Sequence, residues 1–270
     1  MQLNYADLLK MVIYQYQEEP KMKKYLILLL LTVVMLSSCN DDDDYSLDKF
    51  WVSIATVENP NNEPFFFLKL DNGETLWTAA TNYYNYKPQS GQRIIADYTI
   101  LNDKPTGSNY QHDVKLNDAY NILTKRIFHI TPEEQDSIGN DPIGINDMWI
   151  GSNYLNIKFY YSGYNRIHFI NLVKDDSKEY ADNKIHLEFR HNANNDKEQY
   201  KQAGIVSFDL RTIFVQPREI TERVNLVIHV KGFDGKETIH EYIYDPNNTG
   251  ITPREFSREE YDETKGADVG

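Results

Sequence analysis

From Phe50 onward apolar and polar residues alternate with a period of two, the repeat of a strand buried on one face. Phe65-Phe66-Phe67-Leu68-Lys69-Leu70, then Asp71-Asn72-Gly73, then Glu74-Thr75-Leu76-Trp77 reads as a hairpin. Its Asn-Gly pair supplies the positive φ that a tight turn needs. Residues 93–100 and 114–123 add further short strands, and in the second Val114, Leu116, Tyr120 and Ile122 are expected to share one face. About five strands in about eighty residues suggest a small closed barrel over 46–130.

The alternation breaks over residues 131–147, where Pro132, Gly139, Pro142 and Gly144 sit among acids. Such a stretch is a linker or a long crossover. Beyond it Leu155, Ile157 and Phe159 alternate with Asn156 and Lys158, and Ile185, Leu187 and Phe189 alternate with His186, Glu188 and Arg190. Val224, Leu226, Ile228 and Val230 lead into Gly232-Phe233-Asp234-Gly235 and a return strand through Ile239 and Ile243. One buried and one wet face on each strand predicts an antiparallel β-sandwich over 148–245. No helix of useful length is predicted after Cys39, and the polar tail 246–270 is expected to be loose. The fold class is all-β, a small barrel followed by a sandwich.

The N-terminal segment has another character. Lys21, Lys23 and Lys24 precede an apolar run over 25–36 that is too short to span a bilayer. Leu36-Ser37-Ser38-Cys39-Asn40-Asp41-Asp42 then sets small residues before the chain's one cysteine, the layout of a bacterial lipobox. Residues 1–38 therefore read as upstream residues plus a lipoprotein signal peptide, with Met22 as the expected start and Cys39 as the lipidated residue. Several acyl chains would be needed, since one anchors only marginally. With no second cysteine the mature chain has no disulfide. Residues 39–45 form an acidic tether through Asp41, Asp42, Asp43 and Asp44.

Charge narrows the partners. The chain carries 41 acidic against 28 basic residues, net −13, which argues against nucleic acid. It suits an ectodomain held beside a membrane by the lipid anchor.

The order of motifs resembles the NigD-like family of lipoproteins. The resemblance rests on Asp71-Asn72-Gly73, Lys87-Pro88-Gln89-Ser90-Gly91-Gln92-Arg93, Leu123-Thr124-Lys125 and Ser137-Ile138-Gly139-Asn140-Asp141-Pro142-Ile143. Trp149-Ile150-Gly151 with Tyr154-Leu155-Asn156-Ile157, and Leu187-Glu188-Phe189-Arg190-His191-Asn192, continue it across about 46–245. No single motif is specific; their order and spacing are. The resemblance implies an OB-type barrel and a β-sandwich on lipoproteins of the Bacteroidota, and no established activity travels with it. The acidic run after Cys39 resembles the signal that exports such lipoproteins to the outer surface, with a plain spacer as the alternative.

Candidate chemistry is sparse. His186, Glu188 and His191 fail as a zinc motif, because strand alternation puts His186 and Glu188 on one face and His191 on the other; with Arg190 beside Glu188, a surface charge cluster is expected. His168 reads as a half-buried histidine with a local hydrogen bond. Asp141 and Asp147 beside Trp149 could flank a sugar, yet turn chemistry and a core tryptophan explain them better. No catalytic residue, metal or cofactor is assigned. Trp77, Tyr83, Tyr84 and Tyr86 are the best ligand-binding candidates, since OB barrels use a sheet face and aromatic stacking; a tyrosine-rich edge covering the barrel is the alternative. Asp136-Ser137-Ile138 resembles O-glycosylation sites of the phylum's exported proteins, which makes Ser137 a candidate acceptor. The expected function is a non-enzymatic surface module that binds a glycan or protein at the outer membrane. An immunity or secretion accessory of a bacteriocin system, implied only by the name of the family it resembles, is the alternative, and a glycan hydrolase the weakest reading.

Overall fold

The computed structural model describes residues 49–214, 220–248, 254–265 and 269–270. The segment expected to be a signal peptide, Cys39 and the acidic run lie outside the described residues. Among the described residues, no helix is long and apolar enough to cross a membrane.

Five strands close the barrel in the order β1-β2-β3-β5-β4. They are β1 (Trp51–Glu58), β2 (Phe67–Leu70), β3 (Thr75–Thr81), β4 (Arg93–Asp103) and β5 (His112–Asn121). The β2–β3 hairpin turns where expected, with Gly73 at φ +91° and Asn72 Oδ1 accepting the Glu74 amide. The barrel core packs Ala55, Val57, Leu68, Leu76, Ile94 and Leu116.

One face expected in β5 is corrected. Asp97 pairs with Asp118 but Tyr98 pairs with Leu116, so Asn117 is an extra residue in the ladder. A bulge of one residue reverses which way every later side chain points. Val114 and Leu116 therefore enter the barrel core, whereas Tyr120 and Ile122 turn to the opposite side.

The sandwich begins at once with β6 (Leu123–Arg126) and β7 (Phe128–Ile130), so the barrel ends near Ile122 rather than at 130. The crossover holds a short helix, α1 (Gln135–Ile138), before β8 (Gly144–Gly151), β9 (Tyr154–Gly163) and β10 (Phe169–Asp175). After these come β11 (Ile185–Asn192), β12 (Tyr200–Asp209), β13 (Val224–Lys231) and β14 (Glu237–Tyr244). One sheet runs β14-β13-β11-β10-β7 and the other β6-β12-β9-β8. Most pairs are antiparallel, but β7 with β10, β11 with β13 and β6 with β12 are parallel. Leu155, Ile157, Phe159, Leu187, Phe189 and Ile228 fill the space between the sheets.

The tail segment 254–265 is not loose, contrary to the expectation from its polarity. Helix α2 (Arg258–Thr264) starts with a capping box, Ser257 accepting from the Glu260 amide while the Glu260 carboxylate accepts from the Ser257 amide. Phe256 and Tyr261 join Val52, Ile54, Ile95 and Ile122 of the barrel and Ile205 of the sandwich in a third apolar cluster. The charged residues that make the tail look loose are its clamps. Arg258 pairs with Asp97, Lys265 with Asp118 at 2.7 Å, and Glu260 with Lys158 at 3.1 Å.

A polar knot also joins barrel to sandwich. Arg93, fully buried at the start of β4, forks onto Asp71 at 2.5 and 2.9 Å and reaches Asn156 on β9 at 3.1 Å. Ser207 on β12 donates to the same Asn156 oxygen at 2.6 Å. Gly151 lets Asp71 approach, because a Cβ there would meet its Oδ2 at 2.1 Å. Gly151→Ala is therefore expected to cost about 1–3 kcal/mol by overpacking. Chemical denaturation measures this, and an unchanged midpoint would contradict the close approach.

Candidate functional site

The aromatic run Phe65-Phe66-Phe67 straddles the barrel wall. Strand alternation sends Phe66 inward, where it is 4% exposed, and leaves Phe65 and Phe67 on the outer face. Phe67 sits opposite Trp77 in the β2–β3 ladder, their rings 4.7 Å apart, and Tyr110 closes on Phe67 at 5.6 Å. Phe65 lies 6.5 Å from Trp77. These rings line a cleft of about 560 Å³ with Asn59, Asn61, Glu63 and Ser90 on its polar side.

A second cleft, of about 440 Å³, shares Glu63, Phe65 and Phe66 with the first. Its far wall is Tyr83, Tyr84 and Tyr86, with Lys87 and Asn62 at the rim. Tyr83 and Tyr86 stack at 5.0 Å and 8°, while Tyr84 projects into solvent at 81% exposure. Tyr86 is the anchored member, its hydroxyl donating to Asn121 at 2.6 Å. Burial first, then the neighbouring Tyr83, push its phenol well above the ordinary tyrosine range, so it stays a neutral donor.

The four sequence candidates thus occupy two adjoining clefts rather than one. Phe65, Phe67 and Tyr110 complete the surface and were missed. The alternation of the triple-Phe run could have revealed the first two, while Tyr110 comes from a loop that sequence periodicity does not place. Flat rings with amide and carboxylate groups beside them suit a ligand with both apolar and hydroxylated or amide faces.

The other candidates hold structure together. His168 is fully buried, not half-buried, with its ring nitrogens toward His191 and Asp196. His191 faces inward from β11, opposite to His186 and Glu188, as strand alternation requires. Glu188 and Arg190 were expected as a surface cluster, yet they are 9% and 6% exposed. The crossover covers Arg190, which donates to Gln135 at 2.9 Å and to the Gly139 carbonyl at 3.2 Å, while Lys178, between β10 and β11, donates to Glu188 at 2.5 Å. His186 pairs with His229 at 2.9 Å, between Asp182 and Glu237, under the Tyr180 ring. Among the described residues, no group of three or more His, Cys, Asp or Glu side chains could hold a metal ion. Asp141 accepts the Ala193 amide, Asp147 pairs with Arg254 at 2.7 Å, and Trp149 packs beneath that guanidinium and beside Phe256. Ser137 is exposed on α1, its hydroxyl donating to the Glu134 carbonyl at 2.8 Å.

A closed five-stranded barrel joined to a two-sheet sandwich, with aromatic clefts on the barrel, defines a two-domain all-β protein of the OB-plus-sandwich class. The NigD-like N-terminal OB domain matches residues 54–122 and the NigD-like C-terminal beta sandwich domain matches 126–244. The chain belongs to the NigD-like family. No curated protein matches it. A Parabacteroides distasonis protein with a toxin-related name shares 37% identity and a TM-score of 0.63, over 74% of this chain and 95% of that one. A Bacteroides vulgatus protein of unknown function shares 28% identity and a TM-score of 0.66, over 80% and 99%. A NigD-like immunity protein from Bacteroides caccae, at 17% identity, TM-score 0.54 and coverage of 75% and 99%, shares the fold.

Proposed function

We propose that this protein is a non-enzymatic, lipid-anchored binding module displayed at the outer membrane, which holds a glycan or protein ligand on the aromatic face of its barrel. The observation that carries this reading is the aromatic surface from Tyr84 to Tyr110, left open on the outer wall of a barrel whose own core is already filled. The net charge of −13 favours a neutral ligand over nucleic acid.

A glycan array probed with the compact unit 45–270 tests the carbohydrate version. Trp77→Ala and Tyr84→Ala are each expected to lower the affinity for any glycan bound by about ten-fold, about 1.4 kcal/mol. Tyr84 is so exposed that its loss leaves the fold intact. An array without hits sinks the glycan version and leaves a protein ligand. Anchoring is tested separately: Cys39→Ala is expected to move the protein from the membrane fraction to the soluble one. An immunity or secretion accessory is the second reading, favoured by the names of the Parabacteroides and B. caccae relatives. Protection of a sensitive strain by expression of this chain alone would establish it. Ser137 is proposed as a glycosylation acceptor, for which Ser137→Ala should abolish any hexose mass shift.

A further inference from the structure

Two histidines share the interior of the sandwich end to end. His168 Nδ1 lies 2.7 Å from His191 Nε2. The ring centres are 5.0 Å apart, longer than the nitrogen separation by roughly the two ring radii, so the nitrogens meet head-on. A metal between them needs about 2.0–2.1 Å to each nitrogen, and this gap is far too short for one. It fits a hydrogen bond.

The outer nitrogens decide how many protons are present. His191 Nδ1 is 2.9 Å from the Pro142 carbonyl, which can only accept, so that nitrogen carries a proton. His168 Nε2 is 3.2 Å from Asp196 Oδ2. Burial would raise the Asp196 carboxyl, but the Tyr164 amide, His168 and the Lys197 and Arg166 amides outweigh it and hold it well below the usual range. It is therefore an ionised acceptor, and His168 Nε2 carries a proton too. Two neutral rings would then present bare lone pairs to each other at 2.7 Å. Only a third proton makes that contact attractive. Gly163 allows this packing, since a Cβ there would meet His168 Nε2 at 3.0 Å and Asp196 Oδ2 at 3.3 Å.

We propose that Asp196, His168 and His191 form a proton-binding latch, which holds three ring protons and one positive charge when closed and opens when a fourth proton enters. Four protons would set two N–H groups against each other at the central contact. The latch ties several backbone pieces together. The Asp141 amide donates to the His191 carbonyl at 2.7 Å, the Gly270 amide donates to the His168 carbonyl at 3.0 Å, and the Ile170 amide donates to Gly270 at 3.2 Å.

Among the described residues, the surrounding charges are few. Asp141 lies on the crossover, Tyr161 of β9 stacks on His168 at 4.2 Å, Arg166 donates to the Asn194 carbonyl, and Lys125 of β6 donates to Gly270 at 3.2 Å. Burial and then the charge of His168 depress His191, against the raising effect of the Pro142 hydrogen bond. The unfolded ring takes its proton near 6.5 and the folded ring only at lower pH. The unfolded state thus binds more protons in acid, and stability falls as pH drops below about 6.5.

Long-range proton–nitrogen NMR of the full chain counts the protons directly. At pH 7.5 we expect three protonated ring nitrogens in this pair, with His191 Nε2 bare. Asp196→Asn should reduce the count to two. His191→Gln keeps the pattern without titrating, its amide oxygen accepting from His168 and its amide nitrogen donating to Pro142. In the wild type, protection of the Asp141 amide, corrected for intrinsic exchange, should fall about ten-fold between pH 6.5 and 5; in His191→Gln it should change less than about two-fold over the same range. Two ring protons at pH 7.5, or an equally steep acid loss in His191→Gln, would overturn the proposal.

Discussion

Arg93→Met is expected to destabilise the protein by about 3–5 kcal/mol, because it strands the nearly buried Asp71 carboxylate without its charge partner. Arg93 is fully buried and Asp71 is 8% exposed. The guanidinium binds both carboxylate oxygens, reaches Asn156 and lies 4.2 Å over the Tyr154 ring. Removing one partner leaves the other charge unpaired, which costs far more than the net worth of the pair. The double change Arg93→Met with Asp71→Leu should therefore recover much of the loss, since a buried pair can often be replaced by apolar residues. Urea denaturation of both variants measures this. A loss below about 1 kcal/mol in the single variant, the range of an exposed ion pair, would show that water reaches the knot.

Tyr261→Ala should cost about as much, about 3–5 kcal/mol, as expected for a large buried aromatic. Tyr261 is fully buried between barrel and sandwich and belongs to the segment whose composition reads as a loose tail. Its exposed neighbour supplies the control: Glu263→Ala should stay within about 0.5 kcal/mol. If thermal melts of the two variants coincide, α2 does not close the junction.

Both positions show where the sequence is silent. The β2–β3 hairpin, β9, β11 and β13 were legible because their apolar residues recur at every second position between turns, although the face of β9 expected to be wet is buried at Asn156 and Lys158. In β14 the pattern located the strand but not its buried face, since Ile239 and Ile243 are exposed. β12 was not, because Gly204-Ile205-Val206 interrupts the alternation with a continuous apolar run that serves two clusters. The bulge at Asn117 left no mark in the hydrophobic pattern, and missing it placed Tyr120 and Ile122 on the wrong face. The tail failed for the opposite reason. Its charges look solvated when read alone, but Asp97, Asp118 and Lys158 lie far away in the sequence and pair with them only after folding. The Ser257-Arg258-Glu259-Glu260 capping box was the one local cue to a helix there.

By itself, then, the sequence determined the strand-rich fold class, the two-part order of barrel and sandwich, and the tyrosines and tryptophan of the clefts. Each of these is written in local periodicity and residue type. Only the tertiary structure decided the rest: the junction built by Arg93 and Tyr261, the Phe65–Tyr110 half of the aromatic surface, and the meeting of His168 with His191. Those depend on contacts between residues distant in the chain, where burial and a partner's position determine whether a charge is solvated, paired or sharing a proton.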